Sequence, residues 1–125
     1  MSKTAALRKL IKEKMQTVPG ETYHKTSPKD AAYPYKTFRL SSVAFPNPDR
    51  DDLELEVDIW DRTLDPKVAE EIADQIERLF HDTIEPQPPI YPAFFRENRL
   101  TLEDPDKNLQ HIQLHFSVQL HETEE

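Results

Sequence analysis

Residues 51–61, which read DDLELEVDIWD, alternate polar and apolar side chains, and this pattern constrains the fold more than any other part of the chain. The apolar positions are Leu53, Leu55, Val57 and Ile59, and the positions between them are Glu54, Glu56, Asp58 and Trp60. A period of two over this length predicts a strand with one buried face. The other face then carries three carboxylates with no catalytic motif beside them, so we expect it to serve interaction and not chemistry.

Two helices and four further strands are predicted around this acidic strand. The first helix is expected to be capped by Ser2 and to run to about Thr17, and the second to have Asp65 as its cap and Pro66 at its first position. Their apolar stripes are Ala6, Leu7, Leu10, Ile11 and Met15 in the first helix, and Val68, Ala69, Ile72, Ile76, Leu79 and Phe80 in the second. The other strands are predicted at residues 21–24, 36–43, 93–101 and 109–122.

The order of these elements, α-β-β-β-α-β-β, indicates an α+β fold. We expect a single domain over residues 1–125, with a mostly antiparallel sheet of four to five strands and two helices packed on one face. Residues 44–51 are predicted to form a mobile loop and residues 122–125 a flexible tail.

The composition excludes several kinds of site. The chain has no cysteine, which removes disulfides, thiolate metal ligands and thiol nucleophiles. Its single glycine argues against the glycine-rich loops that bind phosphates, so no cofactor is expected. No apolar run reaches the roughly 20 residues of a membrane helix, and the amino terminus does not resemble a signal peptide, so we expect no membrane partner.

The net charge of −8 is unevenly distributed. The first 17 residues carry +4, with Arg8 and Lys12 among their cations, and the remainder therefore carries −12. An acidic body argues against non-specific binding to duplex DNA, which depends on Lys and Arg. The basic segment is either a solvated helix face or a contact for an acidic partner.

The histidines and carboxylates of the predicted sheet do not form a catalytic or metal site. His111 and His115 share a strand face, but four residues along a strand span about 13 Å, too far for one metal ion. If the last strand neighbours the acidic strand, these imidazoles face Glu54, Glu56 or Asp58 instead. We therefore predict no catalytic residue, no metal ligand and no enzymatic activity.

Three aromatic residues are candidates for a contact surface. Tyr33 and Tyr35 flank Pro34, and they either anchor the following strand in the core or form a subunit contact. Trp60 lies on the polar side of its strand, so it is either covered by a neighbouring element or used as an interface anchor.

The chain resembles the small tail terminator or tail completion proteins of long-tailed bacteriophages and related prophages. The resemblance rests on a first helix, Thr22-Tyr23-His24 with Pro28, Ala31-Ala32-Tyr33-Pro34-Tyr35, a strand, Leu55-Glu56-Val57-Asp58-Ile59-Trp60-Asp61, a helix and a closing hairpin. It covers nearly the whole chain, and its most specific marks are the Tyr-Pro-Tyr segment and the joint at residues 58–61.

The resemblance implies a homo-oligomeric ring, hexameric when assembled and monomeric when free in solution, at the head-proximal end of a phage tail. Such a ring caps the tube formed by the tail tube protein and presents a docking surface to the head connector or neck protein. DNA passes through the ring without specific binding. The protein would be made in the cytoplasm of the bacterial host and end in the virion. The residues expected at the interface or lumen are Glu54, Glu56, Asp58, Trp60, Tyr33, Tyr35, Arg8 and Lys12.

Other functions remain open at this point. One is a monomeric adaptor domain that binds a protein or peptide at the sheet edge. A second is a neck or head-completion protein at the same junction. A third, an acid–base hydrolase, requires a deep pocket that encloses two carboxylates or histidines.

Overall fold

A computed structural model describes residues 3–42, 51–81, 83–84 and 90–122, with the backbone alone described for 83–84 and 121–122. In chain order the elements are α1 (Lys3–Met15), β1 (Glu21–His24), β2 (Tyr35–Ser42), β3 (Asp51–Arg62), α2 (Lys67–Leu79), β4 (Thr83–Ile84), β5 (Ile90–Leu102) and β6 (Leu109–Glu122). The predicted cap at Ser2, most of the predicted loop and residues 123–125 of the predicted tail lie outside the described residues. Asp51, expected in the loop, begins β3, and Glu122, expected in the tail, ends β6.

The strands form one sheet in the order β1-β2-β3-β6-β5-β4. β1 runs parallel to β2, and every other neighbouring pair is antiparallel. This confirms the predicted α+β fold with a mostly antiparallel sheet. The two-residue strand β4 is an addition that the sequence did not predict, because two residues are too few to show a period.

The acidic strand β3 lies inside the sheet, between β2 and β6. Its apolar side chains Leu55, Val57 and Ile59 are fully buried, as the alternation predicts. They share one hydrophobic core with residues of both helices: Leu7, Ile11 and Met15 of α1, and Ala69, Ile72, Ala73 and Ile76 of α2. Both helices therefore pack on one face of the sheet. We call the opposite face the outer face.

The helix ends differ slightly from those predicted. α1 ends at Met15, and Thr17 instead lies in a turn, where its hydroxyl donates to the Lys14 carbonyl at 2.7 Å. α2 begins at Lys67, one residue later than predicted, so Pro66 and not Asp65 occupies the cap position. The Lys67 backbone N–H donates to Asp65 Oδ1 at 3.0 Å.

One member of the predicted apolar stripe of α2 is exposed, and Leu79 is only partly buried. Val68 is 43% exposed. It lies in the first turn, at the edge of a stripe centred on Ala69, Ile72 and Ile76, and hydrophobicity alone does not show how wide a stripe the sheet covers.

The turn after α1 is held by a buried lysine that sequence reasoning missed. Lys36 of β2 is fully buried, and its ammonium donates to the carbonyls of Val18 at 3.1 Å, Pro19 at 3.0 Å and Gly20. Gly20 has φ +93°, and a Cβ there would lie 2.9 Å from the Pro34 carbonyl oxygen. The only glycine is thus required both by its backbone angle and by the close approach of the Pro34 carbonyl, just before β2.

Ion pairs join α2 to β5 at one side of the core. Arg99 donates to Asp74 at 2.6 Å and to Glu77 at 2.7 Å, and Arg96 donates to Glu77 at 3.1 Å. These pairs are possible because a register shift between Arg96 and Asn98 leaves both arginines on the helix side of β5.

Within the described part of the chain, neither helix is long and apolar enough to cross a membrane.

Candidate functional site

The outer face brings together six of the eight predicted interface residues. Strand pairing places Tyr35 opposite Trp60, and the β3 carboxylates extend along the same face. Tyr33, 39% exposed, lies against this row with its ring centroid 5.2 Å from that of Tyr35. The other two predicted residues, Arg8 and Lys12, belong to α1 and lie on the helix side of the sheet.

The strand order places two histidines beside the carboxylates of the acidic strand. β6 pairs with β3 so that His111 lies opposite Trp60 and His115 opposite Glu56. This confirms the expectation that the histidines face the carboxylates of the acidic strand. Both imidazoles are partly buried, as are Glu56 and Asp58.

Asp58 is the centre of a hydrogen-bond network on the outer face. Its Oδ1 accepts from His111 Nε2 at 2.6 Å and from Gln113 Nε2 at 3.0 Å, and the Gln113 amide oxygen accepts from His115 Nε2 at 2.8 Å. Burial acts to raise the pKa of Asp58, but the hydrogen bonds from His111 and Gln113 outweigh it and hold this pKa below its usual value.

The pKa of Glu56 shifts in the opposite direction from that of Asp58. Its pKa is raised by burial, by the charge of the neighbouring Asp58 and by a hydrogen bond with it, and Arg39 and His115 only partly oppose these effects. The Arg39 guanidinium lies 3.9 Å from the Glu56 carboxylate. Of the two adjacent carboxyl groups, Glu56 thus takes up a proton more readily, while Asp58 stays ionised and hydrogen-bonded.

A row of rings crosses one end of the outer face. Tyr23 contacts Tyr35 edge to face at 6.0 Å, and Tyr35 lies 6.5 Å from Trp60. Trp60 stacks on His111 at 3.6 Å with an angle of 16° between the planes. Trp60 is therefore covered on one side by β6, so its ring already contributes to packing within the subunit.

The other end of the outer face carries an acidic groove of about 420 Å³. We use "acidic groove" for the site lined by Asp52, Leu53, Glu54, Phe95, Glu97, Ser117 and Gln119. Glu54 and Glu97 are exposed, and neither forms an ion pair with any described residue. Phe95 also lines the groove and is 38% exposed.

Sequence reasoning missed Phe95 and Glu97. The signal available was the run Arg96-Glu97-Asn98, which interrupts any alternation and coincides with the register shift in β5. Such a run indicates a bulge but does not indicate which strand lies beside it.

A basic groove of about 280 Å³ lies on the helix side, between α1 and strands β1 and β2. We use "basic groove" for the site lined by Ala5, Arg8, Lys9, Lys12, His24 and Phe38. The His24 ring packs on Phe38 at 5.1 Å. Burial lowers the pKa of His24, and the surrounding cations lower it further: Arg8, Lys25 and Lys12. This cluster of like charges creates a local positive potential on an acidic protein.

The side chains of the outer face suit binding better than metal coordination. Among the residues that the structure describes, no three His, Asp or Glu side chains are arranged to hold a metal ion. Asp58, His111, Gln113 and His115 satisfy one another, which gives a rigid polar surface. The two grooves contain charged side chains that form no ion pair with any described residue: Arg8, Lys9, Lys12, Glu54 and Glu97.

The fold and these surfaces define a class: a small α+β subunit with a polar outer face and two grooves of opposite charge. A family model described as "Tail completion protein gp17" matches residues 3–121. The chain belongs to this family, so it is a tail completion protein, a structural component of a virion. This confirms the resemblance inferred from sequence. Among curated proteins, none matches the chain.

Two solved structures share the fold. A chain of the virion of a native gene transfer agent particle superposes with a TM-score of 0.65 at 9% identity, covering 90% of this chain and 84% of that one. A second structure, which carries no descriptive name, also has a TM-score of 0.65, at 13% identity and with 98% and 95% of the two chains covered. At these identities the likeness concerns the fold alone.

Proposed function

We propose that this tail completion protein assembles into a ring, hexameric as the resemblance implies, that caps the tail tube at its head-proximal end. The ring would contact the tail tube protein on one side and the head connector or neck protein on the other. The protein would be made in the cytoplasm of the bacterial host.

The observation that carries the proposal is the distribution of charge over the described surface. A cyclic ring needs two different surfaces on each subunit, one for each neighbour. The acidic groove on the outer face and the basic groove beside α1 supply two such surfaces. Carboxylates that face the channel of a ring would also repel the phosphates of passing DNA, so that DNA is not bound specifically.

Electron microscopy of the purified protein mixed with tubes of its cognate tail tube protein tests the proposal. We expect rings at one end of each tube, and fewer capped tubes for the variant Glu54→Lys, which reverses an exposed charge. Asp58 is unsuitable for this test because its replacement would break the bonds to His111 and Gln113.

Glu71→Lys is the matched control, since Glu71 is an exposed glutamate on α2. This variant should cap tubes as the native protein does. If the native protein leaves the tubes uncapped, the proposed position is contradicted. It is also contradicted if the native protein, tested separately with the head connector protein, binds the connector and not the tubes. The second result would favour the neck role.

A further inference from the structure

The two grooves carry side chains of opposite charge. Arg8, Lys9 and Lys12 form no ion pair with any described residue, and the same is true of Glu54 and Glu97. Both grooves also contain an aromatic ring: Phe38 at the floor of the basic groove and Phe95 exposed in the acidic one. The two grooves thus carry opposite charges, and each has an aromatic ring that a partner can pack against.

We propose that the acidic groove of one copy of this chain binds the basic groove of the next, so that these two sites form the subunit interface of the ring. The inference rests on the proposed ring and names its contact residues. Phe95 inserts beside the Arg8 side chain over Phe38, where its face can receive a guanidinium. Glu54 and Glu97 then lie against the cations of α1.

The two sites lie on opposite sides of the sheet, and this arrangement determines the type of assembly. The basic groove is on the helix side beside β1 and β2, whereas the acidic groove is on the outer face over β3, β6 and β5. A contact between unlike surfaces is head-to-tail and propagates from subunit to subunit until it closes.

The proposed interface excludes the centre of the outer face. Asp58 is already bonded to His111 and Gln113, and Trp60 is stacked on His111. Their polar and aromatic groups are engaged within the subunit. The subunit contact is therefore assigned to Glu54, Glu97 and Phe95.

A second copy of the chain is a better occupant of the basic groove than nucleic acid. Outside its first 17 residues the chain carries a charge of −12, and this field opposes the approach of DNA. The same field attracts the basic groove of another copy. The chain thus contains both partners of the contact.

Disulfide trapping tests the interface, because the native chain has no cysteine. Lys12→Cys protein is mixed with Glu97→Cys protein under mild oxidation, and mixed disulfide dimers are counted by mass spectrometry. The matched control mixes Lys29→Cys with Glu71→Cys, which removes the same two residue types at exposed positions outside the grooves. We expect the first pair to cross-link about tenfold faster or more, since binding raises the local thiol concentration.

Charge reversal then tests whether the attraction between the two grooves is electrostatic. Adding Glu54→Lys to the Glu97→Cys chain should slow cross-linking, as should adding Arg8→Glu to the Lys12→Cys chain. With both reversals present, one on each chain, the cross-linking rate should recover, because the pair is complementary again. Equal rates for the test and control pairs would overturn the proposal. If, in addition, the native protein binds duplex DNA and Arg8→Glu loses that binding, the basic groove would be a site for DNA phosphates instead.

A chain with both Lys12→Cys and Glu97→Cys tests the head-to-tail arrangement. A ladder of cross-linked species beyond the dimer is expected, and a dimer alone would mean a closed reciprocal pair and overturn the arrangement. The ring can fail separately from the interface. Capped tubes without fast cross-linking would refute this interface and leave the ring, whereas fast cross-linking without capped tubes would refute the tail-capping role.

Discussion

Lys36 shows how one residue joins two parts of the fold. Its fully buried ammonium satisfies the carbonyls of Val18, Pro19 and Gly20, so the turn after α1 is attached to β2. Burial lowers the pKa of Lys36 from its ordinary 10.5 to about 8, and Glu21 only partly opposes this. The residue therefore stabilises the turn while the buried charge itself costs free energy.

The pH dependence of this cost has a definite sign. Because the pKa of Lys36 is lower in the folded protein than in the unfolded chain, the folded protein loses its proton first as the pH rises from about 8 to 10.5. Within this window unfolding takes up a proton, so the free energy of unfolding rises with pH, by at most about 1.4 kcal/mol per pH unit for one proton.

Replacing Lys36 by Met tests this argument. At neutral pH the variant should be less stable, because buried carbonyls left without a donor cost about 1–3 kcal/mol each. The difference from the native protein should widen from pH 8 to 10 in urea unfolding. Lys29→Met, at an exposed loop position, is the control and should show neither effect. A difference that stays constant over this range would mean that Lys36 does not titrate there.

At the scale of elements, apolar packing holds α2 on the sheet more strongly than its ion pairs do. Ile76 and Phe80 are fully buried, and the Phe80 ring contacts Phe94 at 4.8 Å and Phe116 at 5.6 Å. The Arg99 pairs are partly exposed, with 28% of the arginine side chain and 53% of the Asp74 side chain accessible. Water screens such pairs, so each contributes about 0–1 kcal/mol.

One substitution on each side of this contact should therefore lower the free energy of unfolding by a different amount. We expect Ile76→Ala to lower the free energy of unfolding by about 2–5 kcal/mol, because it opens a cavity under the helix. Arg99→Met keeps the aliphatic contact and should cost about 1 kcal/mol. Urea unfolding of both variants gives the comparison, and a larger loss for Arg99→Met would show that the ion pairs dominate.

At the scale of the whole molecule, two grooves of opposite charge lie on opposite sides of the sheet. The basic groove lies beside α1 and the acidic groove on the outer face, in a chain of net charge −8. Attraction between such surfaces acts over distances that salt shortens: the Debye length is about 10 Å at 0.1 M and about 3 Å at 1 M.

The association of subunits should accordingly weaken with salt. Cross-linking between Lys12→Cys and Glu97→Cys chains is expected to slow several-fold between about 0.1 M and 1 M NaCl, as for electrostatically steered contacts. The Lys29→Cys and Glu71→Cys pair should change little under the same conditions. A rate that holds or rises with salt would instead indicate that Phe95 drives an apolar contact.

Much of the fold follows from the sequence because burial leaves a local period. The alternation around Leu55 predicted β3, its inward face and its acidic outer face, and the alternation after Leu109 predicted β6 with its observed bounds. The stripes of α1 and α2 predicted two helices on one face. Val68 shows the limit of this inference, since a stripe does not reveal its own width.

The tertiary structure decided everything that depends on which strand lies beside which. A period shows that Asp58 and His111 point outward, but only the pairing of β3 with β6 places them 2.6 Å apart. Strand pairing also decides three other features. They are the parallel contact of β1 with β2, the burial of Lys36, and the position of Glu54 and Glu97 in one groove. These contacts join residues far apart in the chain, and strand order is not encoded in a local period. The sequence by itself determined an α+β subunit with an acidic strand, and the fold decided that Asp58 is hydrogen-bonded within the subunit while Glu54 stays exposed.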